Sequence, residues 1–475
     1  MADRKRPHVL VIMSDQQRAD CAGYAGHPLL RTPVMDRLAG EGVAFTHAMT
    51  PAPLCMPARA SFATGTYPHN HGTWANRGLL RRDLPTLFNC FRDAGYDTAL
   101  IGKAHLFAHG DAEMRSFEPV MRGYGIAQSV QVNGPRGTYK NDNNELTADW
   151  KRKGLYARYR ADYEDRMRDA RVVRASALPA DEHLDSWVGR RAVELIDGHA
   201  GTQPLFLFVG FPGPHEPWDA PGEYATMYAP DETPPPLPKP DTAALPEHAR
   251  ELMDHLERGK RIDEMTAEHV RAIRANYYGK ISLVDRWCGE ILDAYRRRGL
   301  LDDLLVVFCS DHGEMLGDHG RLFKNTFHEA GLRVPLVFRW PGRIAAGEQS
   351  DSLIELTDVM PTLLDLVGLP VPSSCLGRSA RPVLEEPERR HRSEVLSEVA
   401  WVGTRTTMVR TERYKYAVDG AGRPFMLYDL ERDPDEQANL VGTADAFALE
   451  GAMRDRLLRR LLREQFALRN DHLPA

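Results

Sequence analysis

The chain has 475 residues, 42% hydrophobic and 27% charged, with a net charge of −6. That is an ordinary globular composition, long enough for two or three domains or for one large domain with an appendage. Lys and Arg are scattered and the balance is slightly acidic, which gives no reason to expect nucleic acid or an anionic membrane as partner.

The six cysteines, at 21, 55, 90, 288, 309 and 375, are widely spaced without CxxC pairs. They read as reduced thiols rather than a disulfide framework. The N-terminal apolar run VLVIM is too short for a leader, and no stretch nears the ~20 apolar residues of a membrane span. A cytoplasmic protein is the expectation.

In chain order, residues 8–14 (HVLVIMS) form a continuous apolar run, as a buried parallel strand does. Asp15 and Gln16 follow directly. Thr32 and Pro33 open a helix to about 41. Cys55, Pro57 and Arg59 open another, since proline suits a first turn, and Gly65 closes it. A helix is expected over 84–94 and a strand over 96–101, which stops at Gly102, Lys103, Ala104 and His105. The stretch 108–182 is the hardest to read. Its charged run between about 150 and 174 suggests a solvated helix or a lid.

Residues 204–210 (PLFLFVG) read as a buried strand leading into FPGPHEPW, with His215 in it. A Pro-rich surface loop spans 228–246, and a long helix 275–297. Residues 304–310 (LLVVFCS) form another buried strand, followed at once by Asp311 and His312. A strand over 332–340 and a helix over 357–367 complete the first part. Strands near 405–410 and 413–418 and an amphipathic helix over about 446–467 suggest a smaller unit. The expected layout is thus an α/β catalytic domain over 1–375 and a C-terminal α+β subdomain over 376–475. Polar clusters repeatedly follow strand C-termini, where open α/β sheets bind their ligands.

Asp15, Gln16, Asp311 and His312 end two core strands, and oxygen with imidazole donors suit Ca²⁺, Mg²⁺ or Mn²⁺. Taken alone, the same residues could simply cap turns. Cys55 falls at the mouth of a helix, where free N–H groups favour an anion, and Arg59 lies one turn in. A lone cysteine there is otherwise just a buried thiol.

The stretch C-x-P-x-R, followed by a helix ending in TG-x-YP, resembles the signature of the type I sulfatases of the alkaline phosphatase superfamily. The resemblance extends to RTPVMDRLAGEGVAF, LTDVMPTLLDLVGLPVP and RYKYAVDGAGRPFMLYDLERDP. It implies an α/β/α sandwich on a large mixed, mostly parallel sheet, with a small antiparallel sheet after it. It further implies that a formylglycine-generating enzyme oxidises Cys55 to formylglycine, whose hydrated aldehyde is the nucleophile. Asp15, Gln16, Asp311, His312 and residue 55 would bind the metal, Ca²⁺ first with Mn²⁺ or Mg²⁺ as alternatives.

In the same resemblance Lys103 and Lys324, with Arg59, would hold the sulfate. His215 of P-H-x-P would protonate the leaving oxygen, and His105 would assist release of the sulfate. Asn76 stands at the spacing of a substrate-contacting asparagine; a turn asparagine before Gly78 explains it nearly as well. The implied activity is hydrolysis of a small-molecule sulfate monoester. The pairing of Asp-Gln with Asp-His also matches the phosphonate monoester hydrolases, so a phosphonate monoester or phosphodiester hydrolase is the first alternative. The G-K-x-H around Lys103 and His105 favours a sulfatase. A non-catalytic pseudo-sulfatase is the second alternative, should Cys55 stay unmodified. A homo-oligomer is compatible with such relatives.

Overall fold

The structure is a computed structural model in which residues 6–108, 114–169, 171–257, 265–401 and 403–465 are described. Ten strands fall in the first part: β1 (His8–Asp15), β2 (Val43–Phe45), β3 (Ala48–Met49), β4 (Asp97–Gly102), β5 (Gln128–Gln131), β6 (Leu205–Pro214), β7 (Leu304–Ser310), β8 (Leu336–Arg339), β9 (Glu348–Ser350) and β10 (Ile354–Glu355). Eight of them make one sheet in the order β5-β4-β6-β1-β7-β8-β2-β9, while β3 and β10 pair separately in parallel. The sheet is parallel except where β8 runs antiparallel to both β7 and β2.

The strand β1 shows why the run HVLVIMSD sits at the centre. All of its residues are buried, as happens when both faces of a parallel sheet are covered. Successive side chains point to opposite faces. Leu10 and Ile12 join a core with Leu207, Val209, Val306 and Phe308. Val9, Val11 and Met13 join the opposite core with Phe206, Phe208 and Leu305. Helices Leu184–Gly198 and Ala267–Arg297 cover the first face, and Cys55–Thr64, Leu87–Asp93 and Val359–Leu366 the second. The result is the expected α/β/α sandwich.

Four antiparallel strands follow in sequence order: β11 (Glu394–Trp401), β12 (Thr404–Thr411), β13 (Tyr414–Asp419) and β14 (Pro424–Asp429). Helix Phe447–Arg463 packs Met453 and Leu457 against this sheet, in a third core with Leu396, Met408 and Leu427. Residues 466 and 467 of the expected last helix lie outside the described residues. Ahead of this sheet, Ala380, Val383 and Leu384 still pack into the second core of the large sheet.

Three segments differ from the sequence reading. The long helix begins at Ala267 rather than 275, because Thr266 caps it by accepting from the His269 amide. The strand expected over 332–340 shrinks to β8, with a helical turn Glu329–Leu332 before it. The charged run near 150–174 forms helices Glu145–Arg152 and Tyr156–Arg168, and these are not simply solvated. Trp150, Tyr159 and Tyr163 anchor them in the first core, and of their charges Arg166 is also buried, donating to the Trp218 carbonyl at 2.8 Å. Among the described residues no helix is long and apolar enough to cross a membrane.

Candidate active site

The central neighbours β4, β6, β1 and β7 run parallel, so their C-terminal ends share one edge. Lys103 and His105 follow β4, His215 follows β6, Asp15 and Gln16 end β1, and Asp311 and His312 follow β7. The backbone turns sharply there. Gln16 and His105 adopt φ of 70° and 52°, the left-handed region that non-glycine residues enter only where surroundings enforce it.

Helix Cys55–Thr64 brings Cys55 to the same edge. All ten of its residues are buried, so no face of it meets solvent. It stops at Gly65, whose φ of 65° closes the last turn and whose hydrogen faces Cys375, where a Cβ would meet Sγ at 2.3 Å.

At the meeting point, one ligand atom each from Asp15, Cys55, Asp311 and His312 lies within 4.8 Å of the others, all buried. Cys55 Sγ is 3.1 Å from His312 Nε2 and 3.7 Å from Asp15 Oδ1. Two carboxylates, an imidazole and the atom that stands where a formylglycine oxygen would be are a donor set suited to one hard or borderline divalent cation. The residues present therefore fit the metal that the family implies.

Gln16 is joined to this group differently. Its backbone N–H donates to Asp311 Oδ1 at 3.0 Å. Its side-chain oxygen accepts from Lys324, and its amide nitrogen donates to Glu216 at 2.8 Å and to Glu314.

Three cations crowd the cluster. Arg59 donates to Asp311 Oδ2 at 2.7 Å, to the Lys103 carbonyl at 2.6 Å, and reaches Asp15 Oδ2 at 3.4 Å. The sequence reading aims this guanidinium at an anion; here it ties the two carboxylates together. The Lys103 ammonium donates to Asp15.

These charges set the ionisation. Burial and the Cys55 thiolate push Asp15 up, but Lys103, His215 and Arg59 outweigh them and hold it at about 2. Burial likewise disfavours a Cys55 thiolate, yet Lys103, Lys324 and His312 pull its pKa well below the ordinary thiol value. His105 shares a hydrogen bond with Cys55, while burial lowers its pKa.

His215 lies at the rim with its side chain 14% exposed. Its Nδ1 donates to the Glu216 carbonyl at 2.7 Å and lies 3.2 Å from the Glu216 carboxylate. Asn76 is the one candidate outside the cluster. It is exposed, and its Oδ1 accepts from the Met56 amide at 2.9 Å, at the first turn of the Cys55 helix.

Three further charged residues were missed in the sequence. Glu216 and Glu314 stand beside motif residues, in H-E-P and D-H-G-E, and that adjacency was the available signal. Burial and the charge of Glu216 push Glu314 up to about 7. Lys280, on the long helix, donates to the carbonyls of His215 and Pro217 at 2.7 and 2.9 Å and to Asp219 at 2.8 Å. Nothing in its local sequence announces that.

A mixed sheet with this strand-end cluster is the architecture of the alkaline phosphatase superfamily hydrolases. The chain matches the family model described as Sulfatase over residues 7–369, and the one described as N-sulphoglucosamine sulphohydrolase, C-terminal, over 317–463. It belongs to the sulfatase family. It is similar to an arylsulfatase of Clostridium perfringens, 29% identical over 93% of this chain and 91% of the relative. It is also similar to a multifunctional alkaline phosphatase superfamily protein of Trinickia caryophylli, 31% identical over 92% of this chain and 91% of the relative. Among solved structures, the phosphonate monoester hydrolase of Agrobacterium radiobacter superposes with a TM-score of 0.78 at 29% identity, over 97% of this chain and 96% of that one.

Proposed function

We propose that the protein is a sulfuric ester hydrolase, cleaving a small-molecule sulfate monoester to an alcohol or phenol and sulfate. The observation that carries this reading is the convergence of Lys103, Lys324 and Arg59 on the buried Asp15–Cys55–Asp311–His312 group. A tetrahedral anion needs cations on several sides, in a site where low dielectric strengthens them.

Asp15, Asp311, His312 and residue 55, with Gln16 beside them, would hold one divalent ion, Ca²⁺ by preference for oxygen donors. The ion would draw charge off the sulfate oxygens and acidify a hydroxyl at residue 55. Oxidation of Cys55 to formylglycine would supply that hydroxyl, installed by a separate modifying enzyme in a cytoplasmic setting.

The chain's own residues do the rest. Arg59 keeps the two carboxylates at one spacing. Lys103 and Lys324 take the anionic oxygens. His105, beside residue 55, accepts its proton when sulfate departs. His215 protonates the leaving oxygen at the rim, where there is room for the organic group. Asn76, through its bond to the Met56 amide, holds the start of the helix that presents residue 55.

A phosphonate monoester hydrolase is the second reading, favoured by the Gln16, Asp311 and His312 set. The deciding experiment compares kcat/KM for an aryl sulfate and an aryl phosphonate monoester, using metal-replete enzyme whose formylglycine content is verified by intact mass. A preference for the sulfate is expected. A hundredfold preference for the phosphonate would replace the first reading with the second.

A further inference from the structure

A cavity of about 150 Å³ opens between the Pro-rich loop, the helix Glu247–Glu257 and the loop that carries Lys324. Its lining includes Lys239, Arg250, Asp254, His319 and His328. None of these belongs to the catalytic cluster. The two histidines are 4% and 1% exposed, with ring centroids 4.3 Å apart. Each leaves one buried ring nitrogen without a hydrogen-bond partner, Nδ1 of His319 and Nε2 of His328.

A buried polar atom left unpaired costs about 1–3 kcal/mol, and such atoms ordinarily find a partner. His319 and His328 both line the cavity, and an unpaired nitrogen on each points to a missing polar group. Thr326 Oγ1 lies 2.7 Å from His328 Nδ1. With that hydroxyl donating, the His328 ring carries its proton on Nε2, ready to donate.

The sign of the field names the class of ligand. Lys239 and Arg250 face the single carboxylate of Asp254 in the lining. The Arg250 guanidinium has no hydrogen-bond or ion-pair partner among the described residues. Arg321, 2% exposed, lines the adjoining pocket. Burial, with Arg321 and Lys415 nearby, holds His319 at about 4 and His328 well below its ordinary value, against the pull of Asp318 and Asp433 on His319. The rings are neutral, and in the lining itself cations outnumber carboxylates two to one.

A cavity of about this volume takes a six-membered ring, so a tetrahedral oxyanion fits. We propose that this cavity is a second oxyanion site that binds sulfate or phosphate through Arg250, His319 and His328. It requires neither the metal nor the modification of Cys55. Lys324 lies between the two histidines in sequence, so the bound ion would rest against the loop that delivers a catalytic cation.

The test is a selenate soak of crystals of the full chain, read by selenium anomalous scattering, together with calorimetric titration of the protein in solution by sulfate and by phosphate. The expected crystal result is a selenium peak within hydrogen-bond distance of Arg250, His319 and His328, separate from any peak beside Cys55. In solution, a saturable step that Arg250→Gln or His319→Gln weakens at least tenfold is expected, with binding at the catalytic centre retained. Tighter binding of either ion supports the site and names its ligand. A cavity peak with no matching solution step means an adventitious ion only, and overturns the proposal. So do a solution step unchanged in both variants, and acetate binding as tightly as sulfate.

Discussion

Two clusters of buried charge lie in this molecule, and they are built differently. One is the strand-end group around Cys55. The other joins the large sheet to the C-terminal sheet and consists of Tyr67, Glu355, Asp358, His391, Arg392 and Arg460. In the second, the anions are saturated. Asp358 accepts from the Glu355 and Arg378 amides at 3.0 and 2.7 Å, from His391 at 3.0 Å and from Arg392 at 2.7 Å. Glu355 accepts from Tyr67, the Leu396 amide, Thr357 and Arg460. In the first, Gln16 divides one amide between two carboxylates, one of them pushed up to about 7, while Arg59 and Lys103 bind the carboxylates of the candidate metal ligands and Lys324 binds the Gln16 oxygen. Burial and ion pairing therefore do not by themselves mark a site. What distinguishes the strand-end cluster is four potential ligand atoms within 4.8 Å of one another, an arrangement that a metal ion and an anionic substrate would complete.

The comparison breaks first at the nucleophile. Cys55→Ala removes one small buried side chain from the strand-end cluster and should lower kcat by about 10⁶-fold, the scale seen when a nucleophile is removed. The melting temperature should move by only a few degrees. Activity within tenfold of wild type would refute the role of residue 55.

His215→Ala should come next. A proton donor matters most when the leaving oxygen is a poor leaving group. General-acid help is worth about 10²–10⁴-fold. The loss should approach that range on an alkyl or sugar sulfate and nearly vanish on a nitrophenyl sulfate. Equal losses would make His215 a ligand of the sulfate itself and leave His105 as the candidate acid.

The two clusters also differ in how much the sequence discloses. Asp15, Asp311 and Lys103 each follow directly on an apolar run, so strand and strand-end could be read together. The C-P-R order announced a helix mouth. The junction cluster gives no such sign. Glu355, Arg392 and Arg460 come from a strand, a loop and the last helix, and pairing between such distant charges is set by tertiary packing alone. The same limit hid Lys280. It also hid the inward aromatic face of Tyr156–Arg168, where a charged pattern dominates Tyr159 and Tyr163. The early start of the Ala267–Arg297 helix was concealed because its first turns are polar, with Val270 and Ile273 the buried apolar residues and Arg274 a buried charge beside them.

The junction cluster should respond to Arg392→Met in stability rather than chemistry. Removing one partner of a buried ion pair costs about 3–5 kcal/mol, readable as a lower denaturation midpoint with an unchanged denaturant slope. The fraction that remains folded should keep its bound metal and its kcat. A variant as stable as wild type, or one that is fully stable but inactive, would erase the distinction between the clusters.

The finest separation is in acid. Burial opposes a charged Asp358, but Arg392 and His391 hold its carboxyl well below the usual range. A depressed acid contributes stability that is fully present above its unfolded pKa, about 3.9, and is lost as pH falls through the folded value. Glu314 has the opposite sign. Its pKa is raised to about 7, so the folded chain keeps a proton that the unfolded chain has released above about 4.3. Its contribution is fully present below that pH and fades as pH rises towards 7. Each slope is at most about 1.4 kcal/mol per pH unit. Stability of the metal-free protein, measured by denaturant between pH 3 and 8, should thus carry two oppositely directed terms. Asp358→Asn should flatten the limb below about pH 4, and Glu314→Gln the one between about 4.5 and 7. The difference between wild type and Asp358→Asn should stay the same when metal is added, while the difference between wild type and Glu314→Gln should change, because Glu314 meets the metal-side residues through Gln16 and Asp358 lies at the other cluster. An Asp358→Asn difference that shifts with metal would show that the two clusters are coupled, and a Glu314→Gln curve identical to wild type would refute the raised pKa of Glu314.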